Sequence, residues 1–269
     1  MKQKAGEDEN MQIEDMQLQS IKIERIPTEI PGFDNLIQGG IPKGSVVLVL
    51  GSAGCGKTLF CLQYLINAAK RGEKGMYVIF EQRPRDIYSQ AAMFNWNIKT
   101  LEKQQKIKVI RLESTKSSVI YDLIRNIKED DYQNLVIDSV DSILNSPETQ
   151  DELGDYFIVT HTHQFVPMSR AGVDRAKTKM LIDSLKDLGI TVLVTGEASK
   201  SNPTESKEGF IDFLVDGIIN LQHLTSVGAT NRTLTVDKMR QTNIDDTVYP
   251  MEINPNIGIT VISKEKLYK

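Results

Sequence analysis

Val46-Val47-Leu48-Val49-Leu50 is an uninterrupted aliphatic run. A strand with one wet face alternates apolar and polar residues, so a run without alternation predicts a strand covered on both faces. Similar runs occur at 76–80, 107–112, 135–138 and 190–195. Between them the apolar residues recur at helical spacing. Leu59, Leu62, Leu65, Ile66 and Ala69 mark a helix that stops at Gly72. Further helices are predicted over 84–95, about 117–128 and about 172–188. Strands alternating with helices predict an α/β fold with a mostly parallel sheet flanked by helices. The segments 215–221, 232–239 and 258–262 read as strands with few helices between them, which predicts a C-terminal antiparallel extension. Upstream, Pro and Gly punctuate a short helical piece from Gly32 to Ile37.

The remaining pattern sets the boundaries. Residues 1–20 hold two lysines against five carboxylates, a charge of −3 out of −4 for the whole chain of 269 residues. Their polar composition predicts a disordered acidic tail. Residues 21–265 read as one domain, with a short C-terminal tail at 266–269, no internal repeat and no linker. Near-neutral charge over the domain argues against a broad nucleic-acid surface. No apolar run approaches the roughly 20 residues that cross a bilayer, and Cys55 and Cys61 form no disulfide framework, which points to a reducing cytoplasm.

Candidate chemistry begins where the first buried strand ends. Gly51-Ser52-Ala53-Gly54-Cys55-Gly56-Lys57-Thr58 fits G-x-x-x-x-G-K-[ST], between a strand and a helix. Glycines let backbone N–H groups converge on phosphate oxygens, and the helix that opens at Lys57 and Leu59 adds its N-terminal dipole. Lys57 would neutralise the β- and γ-phosphates of ATP, and Thr58 would give a hydroxyl to Mg²⁺. Asp138 comes after "LVI" at the sheet edge where a phosphate loop lies, and is the candidate metal carboxylate. Ser139 is placed to help position it, and Asp141 reads as a helix cap. Glu81 comes after "MYVIF" in the same way and could orient or deprotonate an attacking water; a solvated loop residue is the alternative. Lys238 and Arg240, two apart in "VDKMRQT", would share one strand face, where spacing alone favours an exposed basic pair. His161 and His163 lack supporting metal ligands nearby and read as a polar surface loop.

From Ile23 to Ser263 the chain resembles a single-domain member of the KaiC family of RecA-like ATPases. "IPTEIPGFDNLIQGGIPKGSVVLVLGSAGCGKT", "YVIFEQ", "LVIDSV", "GFIDFLVDGIINL" and "DKMRQT" carry the resemblance. It implies that Glu81 is the base, and that Lys238 and Arg240 reach the nucleotide site of the next subunit. It thereby implies a ring, a homo-hexamer with ATP at each interface and turnover that controls binding of a protein partner. Gln82 stands where many members have a second acid, which implies altered, slow turnover. Asp212-Phe213 replace the phosphorylated Ser-Thr pair of two-domain members, so phosphorylation there is not expected. Residues 143–172 fit the family least well. Two rival readings are a DNA-acting ATPase using the loop 196–210, and a nucleotide-sensing scaffold that does not hydrolyse.

Overall fold

The computed structural model describes residues 23–113, 119–146, 157–159, 165–167, 169–199, 202–206, 209–226, 229–245 and 247–262. The expected N-terminal tail, His161, His163, part of the loop 196–210 and most of the 143–172 stretch lie outside them. Among the described residues, no helix is long and apolar enough to cross a membrane.

A nine-stranded sheet organises the chain. Its parallel part comprises β3 (Val46–Gly51), β4 (Gly75–Ile79), β5 (Ile107–Arg111), β6 (Asn134–Asp138), β9 (Thr191–Glu197) and β10 (Gly217–Ser226). The antiparallel extension is β11 (Ala229–Met239), β12 (Tyr249–Asn254) and β13 (Gly258–Val261), giving the order β13-β12-β11-β10-β3-β9-β6-β4-β5. Two small antiparallel two-stranded sheets pair β1 (Arg25–Ile26) with β2 (Ile41–Pro42), and β7 (Phe157–Val159) with β8 (Phe165–Pro167). This is the mostly parallel α/β sheet that the alternation of runs predicts, with the RecA-like order that the resemblance implies. The strand that includes 217–221 pairs parallel with β3, so the antiparallel extension begins one strand later than expected, at β11.

The absence of alternation in β3 has a direct cause. Val47 and Val49 pack on one face against α1 (Lys57–Arg71), among Phe60, Tyr64 and Leu65. Val46, Leu48 and Leu50 pack on the other, beneath α4 (Val119–Ile127), α5 (Val140–Leu144) and α6 (Arg170–Asp187). All five side chains are fully buried. The two small helices α2 (Pro84–Ala92) and α3 (Ile98–Lys103) precede β5, and α7 (Ile211–Leu214) precedes β10.

Polar side chains of α1 tie the first half of the chain to its last strands. Gln63, buried, accepts from the Ile259 N–H at 2.6 Å and donates to the carbonyls of Ile257 and Ile259. Asn67 donates to the carbonyls of Thr28 and Glu29. These bonds satisfy buried backbone groups where the chain leaves regular pairing, and they clamp β13 over the base of the loop that opens α1.

Several boundaries differ from those the pattern predicts. The helix expected over 84–95 ends at Ala92, and Asn95 takes a left-handed φ of 59° that stops it. β12 is absent from the expected strands, because Pro250 lowers the strand signal of "YPMEIN"; the proline sits opposite Thr233 on β11. α3 is too short to show in the pattern, and its start is fixed by Asn97, whose side chain accepts from the Thr100 N–H. α6 opens two residues early, at Arg170, where the Ser169 hydroxyl accepts from the Gly172 N–H.

Candidate active site

Parallel strands bring their carboxyl ends to one edge, so β3, β4, β6 and β9 deliver the residues after them to a common place. A cavity of about 530 Å³ lies there, lined by Ala53, Gly54, Lys57, Thr58, Glu81, Gln82 and Asp138 together with residues of α5 and the end of β9. The phosphate-loop pattern, the two candidate acids and the start of α1 therefore converge, although Gly51 and Asp138 lie far apart in the chain.

The loop's shape comes from its glycines. Gly51 has φ 154°, Gly54 φ 78° and Gly56 φ 115°, all in the region that side chains avoid. At Gly51 a Cβ would fall on the Leu221 carbonyl of β10 and on the Cys55 Sγ. Gly51→Ala is accordingly expected to cost more than about 1 kcal/mol of stability and to open the loop. Thermal unfolding checks this; a wild-type midpoint would contradict it. Ser52, Ala53 and Gly54 are exposed, whereas Cys55 is buried, and burial pushes its thiol above the ordinary value. Leu59, one residue into α1 beyond Thr58, packs against the core below the loop.

Lys57 Nζ donates to the carbonyls of Gly51 at 2.7 Å and Ser52 at 3.0 Å, which holds the ammonium across the loop mouth. Asp138 is fixed by three hydroxyls. Thr58 Oγ1 donates to its Oδ2 at 2.8 Å, Tyr77 Oη to the same oxygen at 3.0 Å, and Thr195 Oγ1 to Oδ1 at 2.6 Å. Burial first, and the neighbouring Asp138 charge second, push the Tyr77 hydroxyl well above its ordinary range, so it stays a donor. The sequence singles out neither Tyr77 nor Thr195. Each sits inside a strand reading as apolar, and only the pairing of β4 and β9 with β6 turns it toward Asp138.

Glu81 lies two residues past β4, not at its tip as the apolar run suggests, and its Oε1 accepts from Ser142 Oγ at 2.9 Å. Gln82 Oε1 is bound by Gln90 of α2. Asp141 is not a cap: its Oδ2 accepts from the Glu197 N–H at 3.0 Å and ties α5 to the end of β9. The helix opens instead at Ser139.

Lys238 and Arg240 are not part of this cavity. Met239 between them pairs with Gly217, which pairs with Val47 near the start of β3. The Arg240 N–H bonds Asp216 O, and the Asp216 N–H bonds Val46 O. The loop lies at the other end of β3, a distance of about 16–20 Å for a strand of this length. Arg240 is one residue beyond β11, yet both side chains turn to the same segment. Lys238 Nζ donates to Asp212 O at 2.9 Å, and Arg240 Nη1 pairs with Asp216 Oδ1 at 2.9 Å. Lys186 shares that oxygen at 2.8 Å. Burial, reinforced by the Arg240 charge, pulls the Lys238 ammonium below its ordinary value despite the opposing pull of Asp216. Phe213 beside them is 75% exposed, and Asp212 Oδ2 accepts from the Ser206 N–H.

The donor set fits a nucleoside triphosphate with a hard cation. A backbone cradle opens onto a helix N-terminus, with one lysine at its mouth. One hydroxyl (Thr58) and one carboxylate (Asp138) suit an ion such as Mg²⁺, which keeps several waters and uses few protein ligands. Among the described residues no cluster of three or more His, Cys, Asp or Glu side chains suits a metal held by protein alone.

Similarity to known proteins extends over most of the chain. The sequence profile described as "ATPase: KaiC" matches residues 26–266. The circadian clock protein KaiC2 of Synechocystis sp. is 32% identical over 247 residues, covering 91% of this chain and 41% of its own length. The circadian clock oscillator protein KaiC of Thermostichus vulcanus is 29% identical, covering 92% of this chain and 46% of its own. The chain thus spans less than half the length of these curated relatives. A UPF0273 protein of Thermotoga maritima, 28% identical, is covered over 98% of its length and 90% of this chain. The crystal structure of a KaiC-like protein from Pyrococcus horikoshii OT3 superposes with a TM-score of 0.73 at 31% identity, over 90% of this chain and 100% of that one. A profile match over most of the chain, on a RecA-like sheet with a phosphate loop at its carboxyl edge, assigns it: the chain belongs to the KaiC ATPase family.

Proposed function

We propose that residues 21–265 form one ATPase domain that works as a ring, a homo-hexamer with ATP and Mg²⁺ held at each seam between subunits. One subunit gives the cradle, residues 51–59, and its neighbour gives Lys238 and Arg240. The observation that carries this reading is the separation of the two halves. The cavity gathers Glu81, Asp138, Asp141 and Glu197 around a single lysine, while Lys186, Lys238 and Arg240 gather about Asp216 at the opposite edge of the same sheet. Within one chain they are a strand length apart. In a head-to-tail assembly each meets the other, and such an interface closes into a ring when the rotation allows.

In this reading Lys57 faces the β- and γ-phosphates, and Thr58 and Asp138 hold the cation, which offsets phosphate charge. Glu81 takes the proton of the attacking water. Arg240, with Lys238, balances charge developing on the transferred phosphoryl group, the role of an arginine finger supplied in trans. Gln82 in place of a second acid supports slow turnover, which suits a protein whose nucleotide state governs binding of a protein partner.

Mass measurement of the purified particle tests the reading. A sixfold particle is expected with ATP·Mg²⁺. A protein that remains monomeric at saturating ATP·Mg²⁺ would overturn it.

A further inference from the structure

Glu81 stands on the loop after β4, where nothing in the strand ladder fixes its side chain. Its only side-chain bond among the described residues comes from α5. Ser142 is nine-tenths buried, and its Oγ lies 2.9 Å from Glu81 Oε1 and 3.3 Å from Ser139 Oγ. Proton counting sets the direction of this chain. An ionised carboxylate only accepts, and a hydroxyl has one proton to give. Ser142 therefore donates to Glu81 and accepts from Ser139, the residue next to Asp138. With Oε1 engaged, Oε2 is the carboxylate oxygen left to take a proton.

The helix that carries Ser142 is itself pinned at both ends. Asp141 holds the Glu197 N–H at one end. At the other, the buried Lys177 of α6 donates to both the carbonyl and the hydroxyl of Ser146, and Ser146 Oγ donates to Ile143 O. A five-residue helix has little stability of its own, so these anchors set where the Ser142 hydroxyl lies.

We propose that Ser142 is a positioning residue for ATP hydrolysis. It acts through Glu81 by a directed Ser139–Ser142–Glu81 hydrogen-bond chain, held in register by Lys177 and Asp141. This rests on the reading of Glu81 as the base. No step is added to the reaction: the chain orients a carboxylate and moves no proton itself. Charge-assisted hydrogen bonds are the strong ones, and misplacing a reacting group by an ångström is costly.

The test is steady-state phosphate release from the full chain with ATP·Mg²⁺, for the wild type, Ser142→Ala, Ser142→Thr and Glu81→Gln. Ser142→Ala is expected to lower kcat about tenfold with KM unchanged, and Ser142→Thr, which restores the hydroxyl, to recover at least half of the lost rate. If Ser142→Ala keeps the wild-type kcat, or if it raises KM in step, or if Ser142→Thr is as slow as Ser142→Ala, the proposal is wrong. These failures leave Glu81 as base intact provided that Glu81→Gln is inactive. A fully active Glu81→Gln removes the base assignment and the proposal with it.

Discussion

Replacing Arg240 by alanine is expected to lower ATP turnover by about 10³-fold or more, although the side chain is a strand length from the phosphate loop of its own chain. The magnitude is that of an arginine supplied in trans to a transferring phosphoryl group. Stability should barely change. The Arg240–Asp216 pair is half exposed on the arginine side, and such pairs contribute about 0–1 kcal/mol. Asp216 also keeps Lys186 on the same oxygen and the Val46 N–H on the other. Steady-state phosphate release at saturating ATP, beside a thermal unfolding curve, separates the two effects. Near-wild-type turnover would remove Arg240 from the site.

Glu81→Gln should cost about 10²- to 10⁴-fold in kcat, the range of positioned general bases. The carboxamide oxygen still accepts the Ser142 bond, so the loop after β4 keeps its place. The ability to take a proton is lost. Nucleotide affinity should therefore persist, since Lys57, Thr58 and Asp138 are untouched. A fluorescent nucleotide titration beside the phosphate-release assay would show the split. Equal background rates in the wild type and the variant would instead favour a scaffold that does not hydrolyse.

The sheet is legible in the sequence because its strands advertise themselves. Runs such as 46–50 are aliphatic throughout, for both faces are covered, and the glycine octet after β3 marks its own function. Edge and connecting elements are less legible. β12 hides behind Pro250, and α3 and α5 have six and five residues, too few for a helical period to show. In the site, the residues that sequence points to are those that end or follow a strand or belong to a motif. Glu81, Asp138 and the loop do converge. The residues it passes over act across strands. Tyr77 and Thr195 reach Asp138 from β4 and β9, and Ser142 reaches Glu81 from α5. No local spacing encodes such partners, because strand order sets them. Asp141 shows the opposite error: an acid beside a helix start looks like a cap, yet it bonds the backbone of β9.

Spacing alone treats Lys238 and Arg240 as an exposed pair; within one chain Arg240 is exposed, whereas Lys238 is half-buried with its ammonium on the Asp212 carbonyl. Their segment lies at the edge of the sheet remote from the cavity. The proposed ring gives that position a role, by bringing it to the cavity of a second copy. The KaiC family assignment and the placing of the phosphate loop and the Lys238–Arg240 pair at opposite ends of β3 support one claim, that the nucleotide is gripped between two subunits.

Mixed particles test that claim directly. Lys57→Ala removes the cradle's cation from one side of a seam, and Arg240→Ala removes the finger from the other. Each variant alone should be inactive. Co-expressed with different tags and purified through both, they should regain activity, since about one quarter of the seams in a random head-to-tail ring pair an intact cradle with an intact finger. Mixed particles as inactive as their parents would contradict the account.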